Sequence, residues 1–144
     1  MGRCFNYSLA DDGTLTYRKG ESSYANFISK TPISKHLPYF EATVVGLEQE
    51  HLHMSIGLGP AIQPFNRMVG WDAYTIGLHA DNGKIYKETG SGLSSPKIKF
   101  GENDVVGCGI DVKKAIFNED GFLVPQQELS VYFTVNGKKV TSAA

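Results

Sequence analysis

Cys108 and Asp111 stand three residues apart, and His79 lies in a separate alternating stretch; thiol, imidazole and carboxylate are the parts of a nucleophilic centre. The pattern around the cysteine argues against that use. Val106, Cys108, Ile110 and Val112 alternate with Val105, Gly107, Gly109 and Asp111, so the thiol shares a face with aliphatic residues. A thiol buried in such company keeps its proton and stays inert. His51 and His53 form an H-x-H pair on one strand face, the beginning of a zinc site. No further His or Cys is spaced to complete the ligand set, so they read as a solvated face. Asp111, Glu119 and Asp120 offer no paired acid/base geometry. Gly90-Ser91-Gly92 lacks the Lys-Ser/Thr of a phosphate loop and reads as a connector. The expectation is no catalytic residue, no metal and no cofactor.

Chemistry of binding has better candidates. The segment Gly59 to Val69 is long for a hairpin loop, holds Pro60 and Pro64, and carries Gln63, Phe65, Asn66, Arg67 and Met68. Arg67 can fork onto a carboxylate or peptide carbonyls, Met68 is adaptable, and Asn66 and Gln63 can pair with an extended backbone. Trp71 and Tyr74 could stack on a ligand, although a large aromatic such as Trp71 more often serves the core.

These residues need a scaffold, and the composition points to strands. The chain has 144 residues, enough for one core, with 16 Gly and frequent aromatics, and no long helical periodicity. Tyr74, Ile76, Leu78 and Ala80 alternate with Thr75, Gly77 and His79, which predicts a half-buried strand from 74 to 80. Asp81-Asn82-Gly83 then predicts a hairpin towards Lys84-Ile85-Tyr86. Phe40, Ala42 and Val44 alternate with Tyr39, Glu41, Thr43 and Val45. Leu52, Met54, Ile56 and Leu58 form another inward face, and so do Leu129, Val131, Phe133 and Val135. Asn136-Gly137 is a type I′ hairpin signal. Gly107 and Gly109 on one face imply close approach by a bulky group, for which Trp71 is the candidate. Phe5 to Tyr7 and Leu15 to Tyr17 flank an Asp12-Gly13 turn, and Tyr24 to Ile28 reads as an edge strand. Residues 113 to 128 read as a strand–turn–strand excursion with Asn118-Glu119-Asp120-Gly121 at its tip. The sum is an all-β antiparallel sandwich of some ten strands, built on Phe40, Ile56, Trp71, Ile76, Cys108 and Phe133.

Charge and cysteine usage narrow the setting. The net charge is −1 with acids and bases interspersed, so no basic stripe marks a nucleic-acid role. No apolar run approaches the ~20 residues of a membrane span. Two cysteines and no signal peptide favour an intracellular location, cytoplasmic or nuclear.

Five segments in order resemble the SPRY family. Pro38-Tyr39-Phe40-Glu41-Ala42 resembles its "YFEV" strand and Met54-Ser55-Ile56-Gly57-Leu58 its "GIGL" strand. Gly70-Trp71-Asp72 matches "GWD", Gly101 to Cys108 resembles "GDVIGC", and Ser130 to Gly137 resembles "FTKNG". Asn66 to Asp72 nearly repeats the "NRLPGWD" of the Ran-binding-protein SPRY type. The resemblance covers roughly positions 4 to 140 and treats residues 1–144 as a single domain. It implies a concanavalin-like jelly roll that acts as a non-catalytic protein-interaction module, a scaffold or adaptor taking a short peptide through loops at one end. By position those loops are Lys30 through His36 and Gln63 through Met68. A lectin-like carbohydrate-binding domain is the alternative. It would need an aromatic platform with planar polar side chains on one sheet face, where Glu41, His53 and His79 are placed. After "FTKNG" the family continues through a "YP" strand and one ending near "FG", for which this sequence has no counterpart. The expectation is an exposed edge open to self-association or strand donation.

Overall fold

The computed structural model describes residues 7–17, 27–45, 54–61, 67–80, 82–88 and 99–140. Nine strands form among them: β1 (Tyr7–Leu9), β2 (Leu15–Tyr17), β3 (Tyr39–Thr43), β4 (Ser55–Leu58), β5 (Ile76–His79), β6 (Ile85–Lys87), β7 (Val105–Ile110), β8 (Val131–Val135) and β9 (Lys138–Val140). Every pairing is antiparallel. A four-stranded sheet runs β3-β7-β8-β9, a three-stranded sheet runs β4-β5-β6, and β1-β2 form a separate hairpin. A single 3-10 turn, Val112–Lys114, follows β7, with the Asp111 carboxylate accepting from the Lys113 N–H at 3.0 Å. The fold is the all-β sandwich that the alternation predicts.

The core lies between the two larger sheets, where β4 packs against β7. On one side Ile56, Leu78 and Ile85 form a cross-strand row. On the other, Cys108 stands opposite Phe133, and Val106 and Ile110 flank it. Val44, Ala80 and Phe100 complete the buried set, with Met54, Leu58, Ile76, Val131 and Val135 packed around it. Each fully buried side chain of this size contributes about 1.5–3 kcal/mol, which ties the two sheets into one unit. Burial also pushes the Cys108 thiol up to about 12, so the group with nucleophilic chemistry is held protonated in the middle of the protein.

The turns follow their residue types. Asn136 and Gly137 both take positive φ, 52° and 80°, and close the β8–β9 hairpin as that dipeptide predicts. Gly83 does the same between β5 and β6 at φ 68°. The 113–128 excursion is pinned by an antiparallel bridge between Phe117 and Leu123, with Gly121 N–H donating to Asn118 O at its tip.

Several expectations need correction. Phe40 shares the inward row of Cys108, yet it is 38% exposed, because β3 is the outer strand of its sheet among the described residues and the facing sheet packs on β7. Trp71 is half-buried at the rim and outside the central cluster. Tyr74 is not in a strand: β5 begins two residues later. Phe27 and Ile28 are described and lie outside any strand, whereas Tyr24 to Asn26 lie outside the described residues. The bulky neighbours of Gly107 and Gly109 are Tyr39 and Tyr132, not Trp71.

Candidate binding site

The segment leading into β5 is built on Thr75 and Asp72. Thr75 Oγ1 donates to Asp72 O at 2.6 Å and accepts from Gly70 N–H at 3.0 Å, while Thr75 N–H also donates to Asp72 O. Trp71 N–H donates to Met68 O, closing a tight turn. Gly70 takes φ +106°, a conformation that suits a residue without Cβ. The turn sits directly on β5. A Cβ on Gly77 would collide with the Val69 carbonyl, so glycine there is what lets the segment approach.

That approach seals the second face of β5. His79, expected on the solvent side of a half-buried strand, is 1% exposed. Its Nε2 lies 2.8 Å from Val69 O, and a carbonyl only accepts, so the ring proton sits on Nε2. The ring stacks on Tyr86 at 3.9 Å and meets Trp71 at 6.0 Å. His79 is therefore structural, unavailable to a carbohydrate or to the Cys108 thiol. Asp111 is likewise engaged in capping the 3-10 turn.

Arg67 is exposed, as a contact residue should be, but is held from within. Its Nε donates to both Asp72 carboxylate oxygens at 3.0 Å, and its guanidinium lies 5.2 Å from the Trp71 ring centre. An exposed pair of this kind is worth about 0.2–1 kcal/mol, so its main effect is to fix the direction of the guanidinium. Met68 is 7% exposed, which withdraws it from the surface role its flexibility suggested: the turn to Trp71 tucks it inward. Gln63, Phe65 and Asn66 lie outside the described residues, as do His51 and His53.

Tyr74, next along, is the anomaly. It is 82% exposed at φ 63°, and Glu88 opposite it has φ 58°. Tyr74 N–H donates to Glu88 Oε1 at 3.0 Å, and Glu88 N–H donates to Thr75 O at 3.1 Å, so the two unusual residues hold one another. A bulky residue in this region costs about 1–3 kcal/mol, and an aromatic ring projected into water recovers none of that by packing. Sequence alternation placed Tyr74 inside a strand; only the preceding Gly70-Trp71-Asp72 turn hints otherwise.

Lys30 and His36 are both exposed, on a loop held by other partners. Lys35 N–H donates to Gly121 O at 2.8 Å, Ser34 bridges Phe122, and the His36 ring lies beside Gly121. The structure thus docks this loop on the 113–128 excursion, while the turn that follows Arg67 docks on β5 through Val69.

The matching family model is that of the SPRY domain, over residues 38–143. The chain belongs to the SPRY family. It is 28% identical over 138 residues to human SPRY domain-containing protein 3, covering 96% of this chain and 29% of that protein. It is 30% identical over 115 residues to the Ran-binding proteins 9/10 homolog of Drosophila melanogaster, covering 76% of this chain and 12% of that one. The chain therefore spans less than a third of the length of these relatives. A crystal structure of a human SPRY domain superposes with a TM-score of 0.79 at 26% identity, covering 94% of this chain and 78% of that chain. SPRY domains serve generally as modules for protein–protein interaction, and this sandwich is a SPRY domain. No helix among the described residues is long and apolar enough to cross a membrane, and no group of His, Cys, Asp and Glu among them could hold a metal ion.

Proposed function

We propose that this SPRY domain, taken as one unit over residues 1–144, binds a short extended segment of another protein at the rim where β5 begins and β6 ends. It does so without catalysis, as a scaffold or adaptor inside the cell. Tyr74 carries the reading: an exposed aromatic held at positive φ by Glu88, beside an Arg67 already aimed by Asp72. Both groups are fixed before a partner arrives, which lowers the ordering cost of association. The ring supplies an apolar anchor, and the outward edge of the guanidinium supplies donors for a carboxylate or peptide carbonyls. Gln63, Phe65 and Asn66, next to Arg67 in sequence, and Lys30 and His36 are proposed as further contacts. The reading extends to self-association by strand addition, since β3 and β9 are the outer strands of the four-stranded sheet.

Selection of peptides from a random displayed library on the purified chain tests this. Tyr74→Ala should weaken the selected peptides at least tenfold, and Arg67→Ala several-fold, with Tm almost unmoved in both. Peptides that bind both variants as tightly as the parent chain would remove the rim from the account.

A further inference from the structure

The outward face of the four-stranded sheet carries a second, different arrangement. Tyr39, Gly109 and Tyr132 stand in one row across β3, β7 and β8. Glu41, Gly107, Thr134 and Lys139 stand in the next row, across β3, β7, β8 and β9. The two glycines leave a trough along β7, and the tyrosines lean into it. Their rings stack at 6.1 Å with planes 11° apart. Tyr39 Oη donates to Glu41 Oε2 at 2.9 Å and shares a 2.6 Å hydrogen bond with Thr134 Oγ1. Lys139 Nζ lies 4.3 Å above the Tyr132 ring. Together Tyr39, Glu41, Tyr132, Thr134, Gly137 and Lys139 line an open groove of about 380 Å³.

We infer that this groove is a binding site for an extended, proline-containing peptide bearing one basic and one acidic residue four positions apart. Residues of opposite charge stand at the two ends of the row, Glu41 on one outer strand and Lys139 on the other, with their side chains leaning inward onto Tyr39 and Tyr132. Three strand spacings separate them, about 14 Å between backbones. A polyproline-type chain rises about 3.1 Å per residue, so four residues span about 12 Å and bring a basic side chain to Glu41 while an acidic one reaches Lys139. Beside the charges the stacked tyrosines offer an aromatic surface, with the Lys139 ammonium over its Tyr132 end, and aromatic surfaces are where proline rings are commonly received. The charge pair favours a peptide bearing both signs over a neutral sugar, which would use the rings and hydroxyls alone. This surface is separate from the Tyr74 rim, and neither proposal requires the other.

Isothermal titration with short synthetic peptides tests the inference. Arg-Pro-Ala-Pro-Glu should bind, and Arg-Glu-Pro-Ala-Pro, with the charges adjacent, should bind at least tenfold more weakly. Glu41→Lys and Lys139→Glu each place like charges at the two ends, and each should lose at least tenfold. The double variant restores opposite charges and should recover most of the loss, because a polyproline-type chain can enter in either direction. Both positions are exposed, so circular dichroism should show the variants folded. Tyr74→Ala should leave this binding unchanged. No binding up to millimolar peptide, indifference to charge spacing, failure of the double variant to recover, or a neutral glycan that binds the groove in place of the peptide would each overturn it.

Discussion

His79 on β5 and Gly107 on β7 occupy equivalent places in the alternation: each turns away from the shared core, the first read from sequence as the outer face of a half-buried strand and the second as a face approached by a bulky group. They end differently. Over β5 the covering material is main chain. The Met68–Trp71 turn lies on Gly77, and the Val69 carbonyl accepts a hydrogen bond from His79 Nε2. Over β7 the cover is two stacked tyrosine side chains, and an open groove remains beside them. A face closed by backbone becomes a second small core, whereas one closed by side chains stays deformable and accessible. The difference teaches where to look for binding on this fold: at the rim of the sealed face, where Tyr74 is forced out, and on the open face itself.

Substitutions can break the comparison. His79→Ala should have the largest effect, about 3 kcal/mol, because it removes a fully buried ring and orphans the Val69 carbonyl. Urea unfolding followed by the fluorescence of Trp71, the chain's one tryptophan, reads it. Gly77→Ala should cost about 2 kcal/mol, since the new methyl meets main chain that must lift as a unit. Gly107→Ala should cost less than about 1 kcal/mol, because the phenol of Tyr39 and the hydroxyl of Thr134 can move aside, and it should shift these two lining side chains of the groove. Equal costs for the two glycines would mean that the β7 face is as rigid as the β5 face.

The last test concerns the core both sheets share. The Cys108 thiol is held at about 12, against about 8.5 for an exposed cysteine. A raised value means the stabilising contribution is whole below the unfolded pKa and is lost as pH rises towards the folded one. Between about pH 9 and 11 the parent chain should therefore lose more stability than Cys108→Ala. Matched pH profiles would mean that the thiol is already open to solvent.

Much of this was legible in the residues. Alternation gave the inward rows of Cys108, Ile56 and Phe133, and Asn136-Gly137 announced its hairpin, because side-chain period and turn chemistry are local properties. What covers an outward face is not local. Nothing near His79 in sequence says that residues ten positions earlier fold back over it, and Phe40 alternates correctly yet is exposed because its strand is the outer one among the described residues. The tyrosine groove had a readable trace in the Gly-x-Gly of β7, which demands bulky neighbours. Choosing Tyr39 and Tyr132 over Trp71 requires the register of three strands.

Amide chemical shifts recorded while a library-selected peptide is titrated into the isotopically labelled chain address the central claim most directly. The account predicts that shifts concentrate at Arg67, Trp71, Tyr74 and Glu88, with the amides of Val106, Cys108 and Phe133 unmoved. Shifts that leave those four residues untouched and appear elsewhere on the sandwich would contradict it.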